Sequence, residues 1–300
     1  VVTSDGSRQP NIVVEDPGRY GRIEPLYATI AARIFNNDVR LATSIGTDYE
    51  YHELLKQFPN STIVMANTKS CRFEIEYDDR WSATYNKSEY MAARFLKADR
   101  VVTAAQGCSY VHLAPMPPRK ISKMVHGLRE RPGLTISLNS WEGYMKEGND
   151  RRLLRELAPL VDFFIINEKE IMKLAEVDNL NLAVNSLPAK QLIVTLGHFG
   201  AIYAKEGRFT IYPATTWFGG NTVDATGAGD VWSGAFIGAY SLEQDVPSAV
   251  SAAGTISALK CRGWNFQEIE RLKFDSVNDL VRYALSERAE GQQTLTRFLR

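Results

Sequence analysis

The chain has 300 residues, 44% of them hydrophobic, and 35 Lys and Arg balance 35 Asp and Glu, so the formal net charge is zero. That is enough apolar material for a large core, and the neutral balance gives no electrostatic reason to expect nucleic acid or an acidic membrane as partner. No run of 18 apolar residues is present, which argues against a membrane-spanning helix; no secretory signal is visible, and Cys71, Cys108 and Cys261 lie too far apart for a disulfide framework or zinc site and read as reduced thiols of a cytoplasmic protein.

Residues 24–35 place Leu26, Ile30 and Ile34 four apart, the stripe of a helix with one apolar face. Residues 39–45 predict a strand. The segment 61–85 carries no helix signal. Arg72 to Tyr77 alternates polar and apolar as a strand with one wet face does, residues 78–80 read as a turn, and Trp81 to Tyr85 as the returning arm of a hairpin. Further strands are predicted over 99–104, 110–113 and 134–138, and helices over 119–131 and 151–157. Two continuous apolar runs, Val161 to Ile166 and Leu192 to Thr195, predict strands buried on both faces. Helices follow over 231–240 and 245–260, and a polar stretch begins at Ser276. By length alone two domains would be expected, but strand–helix alternation argues for one largely parallel sheet covered on both faces. Ligands of such sheets collect at the C-terminal ends of the strands.

Residues 224–230 read Asp-Ala-Thr-Gly-Ala-Gly-Asp and lead straight into an apolar helix. The first N–H groups of a helix lack internal partners, and the macrodipole adds positive potential there. Gly227 and Gly229 have no side chains to keep a phosphate away. Asp230 would repel a phosphate that is only bound, yet it suits removal of a proton from a hydroxyl attacking that phosphate. Ordinary helix capping by Gly and Asp is the plainer reading. Two further motifs end predicted strands. Asn167-Glu168-Lys169-Glu170 follows the run 161–166, and Leu196-Gly197-His198-Phe199-Gly200-Ala201 follows Thr195.

Taken in order, these three motifs resemble the signature of the ribokinase-like (PfkB) family of carbohydrate kinases: its helix-opening Gly-x-Gly-Asp loop, its Asn-x-x-Glu motif and its strand–Gly-x-x-Gly turn. The resemblance extends from about Tyr20 to Trp264. It implies a mostly parallel central sheet flanked by helices (residues 20–60 and 87–300) and a small β-sheet lid (1–19 and 61–86), to which Ile12 to Val14 would add a strand. Asp230 is expected as the base, with the N–H groups of Ala228, Gly229 and Asp230, beside Gly227, as the anion hole. Thr195, Gly197, Gly200, Thr226 and Ala253 are expected to line the nucleotide, and Asn167 and Glu170 to organise Mg²⁺ through water. Asn followed three residues later by Glu is equally a helix capping box, Gly197 to Gly200 is equally a tight β-turn, the small residues Ala252, Ala253 and Gly254 are equally helix-packing residues, and His198 reads as a surface turn residue. The implied cofactors are ATP and Mg²⁺, with a monovalent cation as a further candidate. The implied partner is a sugar-like small molecule, and the lid's apolar face offers a surface for a homodimer.

The acceptor side departs from the family pattern. Where the family carries paired glycines, this chain has Gly21 followed by Arg22, which would crowd a neutral sugar or contact a charged acceptor. The chain opens at Val1-Val2-Thr3-Ser4-Asp5, which reads as the tail of the family's first strand or the region just past it, so Asp5 is an uncertain equivalent of its substrate-binding acid. Asn139, after the strand 134–138, is the further candidate for a polar contact to the acceptor. The expected activity is transfer of the ATP γ-phosphate to a hydroxyl of a sugar, inositol or nucleoside. The alternative is a catalytically silent sugar- or nucleotide-binding protein on the same fold.

Overall fold

The computed structural model describes residues 12–14, 24–78, 81, 83–214 and 222–298. Two compact units divide the chain: Val1–Leu26 with Arg40–Ala104, and Tyr27–Val39 with Ala105–Arg300. Helix α1 (Glu24–Arg33) belongs to the second unit from Tyr27 onward.

The first unit holds β1 (Ile12–Val14), β2 (Ala42–Ile45), the short helix α2 (His52–Leu55), β3 (Thr62–Met65), β4 (Arg72–Tyr77), β5 (Ala83–Glu89) and α3 (Ala98–Ala104). Strands β4 and β5 form the hairpin that the alternating pattern predicts, and β1 adds to β4 antiparallel, Val13 opposite Glu76. Strands β2 and β3 pair in parallel as a separate two-stranded sheet. The compact unit takes in more chain than residues 61–86, because β2 and β3 group with the hairpin. One element differs in kind from its expectation: residues 98–104 are a helix, not a strand. Its apolar run is only Val101 and Val102, too short to carry a period; Asp99 sits in the first turn, where a carboxylate favours a helix, and Val101 alone turns to the core.

The second unit is built on a six-stranded sheet. Its strands are β6 (Tyr110–Leu113), β7 (Thr135–Asn139), β8 (Phe163–Asn167), β9 (Leu192–Thr195), β10 (Gly200–Lys205) and β11 (Arg208–Pro213), in spatial order β11-β10-β9-β8-β7-β6. Strands β6 to β9 are parallel; β10 and β11 close one side antiparallel. Helices α4 (Pro118–Arg129), α5 (Gly148–Leu157), α6 (Glu168–Ala175) and α7 (Leu180–Ser186) connect the parallel strands. Helices α8 (Ala228–Glu243), α9 (Val246–Lys260) and α10 (Val277–Phe298) follow. The centre of the sheet is apolar on both faces, Phe163, Phe164, Ile165 and Ile166 all being buried, as parallel strands between helix layers require. Strand β8 starts two residues later than its apolar run because the Asp162 carboxylate is engaged at its foot, accepting from Arg129 Nη2 at 2.7 Å and from the Ile136 N–H at 2.8 Å.

Helix α8 is buried all round from Val231 to Ala239. Phe236 and Tyr240 stack edge-on against Phe163 of β8 at 5.0 and 4.8 Å between ring centroids. On another side α8 meets α1 backbone to backbone. A Cβ at Gly234 would overlap the Ala28 carbonyl, and one at Gly238 would approach the Ala32 carbonyl oxygen to 2.8 Å. Glycines four apart thus let two helices touch where any side chain would hold them apart.

Candidate active site

Strands β7, β8 and β9 end on Asn139, Asn167 and Thr195, and the register sets Asn167 directly beside Thr195. The first turn of α8 is tied to the same end of the sheet. Asn139 Nδ2 donates to Ser233 Oγ at 3.1 Å, and Ser233 Oγ donates to the Gly229 carbonyl at 3.0 Å. Both side chains are buried. The Asn139 Oδ1 accepts the Ser140 N–H at 3.0 Å. Asn139 therefore acts on the loop from behind, joining strand end to helix start.

The two glycines of the loop do different work. Gly227 is the N-cap of α8 with φ +75°, in the left-handed region, and a Cβ there would sit 2.7 Å from the Tyr27 ring. Only glycine meets both conditions. Gly229 lies within the helix on the exposed side, and a Cβ there would meet nothing within 4 Å. Open space stands in front of the residue. The Ala228 N–H donates to the Ala225 carbonyl at 3.1 Å and so closes the turn, which engages one of the three expected anion-hole donors, and the Val231 N–H donates to the Gly227 carbonyl at 2.9 Å. Asp230 sits in the first turn of α8, half-buried.

The end of α9 braces this loop at several points. Ser257 Oγ donates to the Ala228 carbonyl at 3.0 Å. The Cys261 carbonyl accepts the N–H groups of Val223 at 2.7 Å and Asp224 at 3.3 Å. The Lys260 ammonium, fully buried, donates to the Asp224 carboxylate at 2.8 Å and to the Asp224 carbonyl at 2.6 Å. The other carboxylate oxygen of Asp224 accepts the Thr226 N–H at 2.9 Å, and the Asn265 N–H approaches Oδ2 at 3.2 Å. Burial alone would raise the Asp224 carboxyl; the charge and hydrogen bond of Lys260, with the bonds from Thr226, carry it below its ordinary value. Ser233 and Ser257 carry no signal in the sequence. Lys260 does carry a readable signal, as the only charged residue in the fifteen of α9.

Asn167 and Glu170 form a complete capping box for α6. The Glu170 N–H donates to Asn167 Oδ1 at 2.8 Å, and the Asn167 N–H donates to Glu170 Oε2 at 3.1 Å. Burial pushes the Glu170 carboxyl up to about 8, and the nearby charge of Glu142 pushes in the same direction, against hydrogen bonds from Asn167 and from the Glu142 backbone. Glu142 carries no sequence signal, since it lies on a short 3₁₀ turn 28 residues from Glu170.

At the end of β9, Gly197 has φ +57° and Gly200 φ +114°, and a Cβ at Gly200 would collide with the Tyr212 carbonyl of β11. The Leu196 N–H donates to the Gly200 carbonyl at 2.8 Å, closing the turn between β9 and β10. Thr195 is half-buried at the strand end, Thr226 is buried under the loop, and His198 is exposed on the turn. Ala253 has no exposed surface; in the structure it serves the packing of α9. Gly21, Arg22 and Asp5 lie outside the described residues.

The fold is shared with solved kinases. A candidate ribokinase II from E. coli in complex with ATP and Mg²⁺ superposes with TM-score 0.69 at 19% identity, over 84% of this chain and 86% of that one. A Burkholderia thailandensis nucleoside kinase in complex with inosine gives TM-score 0.67 at 15% identity, over 87% and 85%. The fold is ribokinase-like. In sequence, residues 28–268 match the pfkB family carbohydrate kinase model. A cytidine kinase of Thermococcus kodakarensis is 30% identical over 219 residues, 70% of this chain and 77% of that protein. The chain belongs to the pfkB family of carbohydrate kinases.

Proposed function

We propose that this chain is an ATP-dependent phosphotransferase that moves the γ-phosphoryl group to a hydroxyl of a sugar, inositol or nucleoside, with nucleosides first in order because of its likeness to a cytidine kinase. The observation that carries the reading is the start of α8: a helix N-terminus with open space before Gly229 and a carboxylate, Asp230, in the same turn. Asp230 takes the proton as the acceptor oxygen bonds to phosphorus and the bond to the β-phosphate oxygen breaks, giving ADP. The first-turn N–H groups draw the charge that spreads onto the phosphoryl oxygens, the main demand of this chemistry. Thr195 and the turn from Gly197 to Gly200 face the nucleotide at the neighbouring strand end. Glu170 with Glu142 would hold Mg²⁺, largely through water, Asn167 fixing Glu170 from the helix cap. When bound, Mg²⁺ neutralises phosphate charge.

A coupled assay of ADP release over a panel of nucleosides, pentoses, hexoses and inositols tests this. Acceptor-dependent ADP release that follows phosphorylation of one panel member is expected. Binding of acceptor and nucleotide with no ADP formed by any panel member would favour the silent binding protein.

A further inference from the structure

Resting on the phosphotransferase reading above, we propose that Lys260 is a tethered cation for the phosphoryl-binding loop, a positioning residue that takes the place of a free monovalent cation and makes the reaction independent of added K⁺ or NH₄⁺. A monovalent cation serving this loop needs buried oxygens that converge behind it. The described loop offers such a set at Asp224, and the Lys260 ammonium fills it, 2.6 Å from the carbonyl and 2.8 Å from the carboxylate. The remaining carboxylate oxygen is held by the Thr226 N–H. K⁺ does not fit the same oxygens while the ammonium is there. The Tyr27 ring, 5.7 Å from Nζ, adds a face that favours a cation. Tyr27 is also the ring that abuts Gly227, so the ammonium, the ring and the N-cap of α8 form one packed unit. The side chain comes from the last turn of α9, where a positive charge complements the helix end. A fixed ammonium is always present at full occupancy, whereas a free ion must be recruited from solution and held.

The test compares wild type with K260A and K260M in tetramethylammonium chloride and in KCl or NH₄Cl at equal ionic strength. Wild-type kcat and melting temperature are expected to be the same in all three salts. K260M is expected to lose about 100-fold or more in kcat/KM, the scale of losing one preorganised electrostatic element. K260A, which leaves room for an ion, is expected to recover at least about 10-fold in KCl or NH₄Cl, about 1.4 kcal/mol of barrier. It should also melt higher in KCl than in tetramethylammonium chloride. The melting comparison needs no turnover, so it decides the role of Lys260 even if no acceptor is phosphorylated. Activation or thermal stabilisation of the wild type by K⁺ would overturn the proposal, as would a folded K260M that turns over at the wild-type rate.

Discussion

Asp230 and the two glycines beside it separate by what each substitution should change. Asp230→Asn keeps the shape of the loop and removes the proton acceptor. The expected result is retained nucleotide binding and a loss of roughly 10²–10⁴-fold in rate, or about 3–5.5 kcal/mol of barrier. Single-turnover kinetics together with calorimetric ADP binding would check it, and near-wild-type turnover would remove Asp230 from the chemistry. Gly227→Ala meets a positive φ and the Tyr27 ring together, so it should cost stability, about 1–3 kcal/mol from backbone strain before the clash is counted. Gly229→Val has open space and helical backbone, so denaturation should scarcely move while kcat/KM falls. The reverse pattern in urea melts and kinetics would exchange the two roles. At this scale the loop was legible in the sequence as a glycine-rich helix start carrying an Asp, and the structure has Gly227 as the N-cap of α8 and Asp230 in its first turn. Lys260 was legible only as an isolated charge in an apolar helix. Glu142 was not legible at all, since what makes it matter is a neighbour that only folding supplies.

At the scale of elements, the turn from β8 into α6 is a helix cap built on a buried carboxyl. The spacing Asn-x-x-Glu allows a cap or a metal site in sequence, and the structure shows the cap in full. The same burial that completes the cap sets a pH dependence. Glu170 goes from an ordinary value of 4.5 to about 8 in the fold. The folded chain therefore holds a proton that the unfolded chain gives up between these values. The stability linked to that proton is full below pH 4.5, declines as pH rises, and is gone above about 8. Glu170→Gln should flatten this decline in denaturation curves taken from pH 5 to 9. In the proposed metal role of Glu170, Mg²⁺ would compete with the proton, so its affinity should rise toward pH 8 and then level off, and Gln at 170 should abolish that rise. A wild-type affinity constant from pH 6 to 9 would remove Glu170 from the metal site. Helix α3 marks where element reading failed: two adjacent valines suggest a strand, but six residues hold no period, and tertiary burial of Val101 chose the helix.

For the whole molecule, stability should be uneven in a way that follows burial. Strands β7 and β8 are nearly closed to solvent, while β11 exposes Phe209 and Ile211 at 53% and 59% on the outer strand of the sheet. Amides of β7 and β8 are expected to exchange last and those of β11 early, because edge amides open with little loss of burial. Hydrogen exchange resolved by strand would check this, and uniform protection across the sheet would contradict it. Strands β8 and β9 were readable because parallel strands buried on both faces produce apolar runs that little else imitates, whereas β10 and β11 left no such run and residues 98–104 are a helix. The grouping of β2 and β3 with the hairpin was not readable, since parallel pairing between residues 42–45 and 62–65 leaves no local mark in either segment. Acceptor choice belongs at this scale too. In the proposed role of Arg22 in reading acceptor charge, Arg22→Gly should show a selective loss on anionic acceptors against neutral ones, and equal activity of both proteins on every acceptor would remove Arg22 from substrate choice.

The glycine contacts of α8 with α1 bear on how such a protein can change over generations. Where two backbones touch at Gly234 and Gly238, no side chain is available to be exchanged for a slightly larger or smaller one. The stretch from Gly227 to Gly238 should therefore be nearly silent in a saturation library selected for growth, with most replacements lost. Replacements that alter acceptor preference should accumulate instead in connecting segments, where backbone tolerates variation. A lineage of this enzyme could drift widely in what it accepts while helix α8 stays almost fixed.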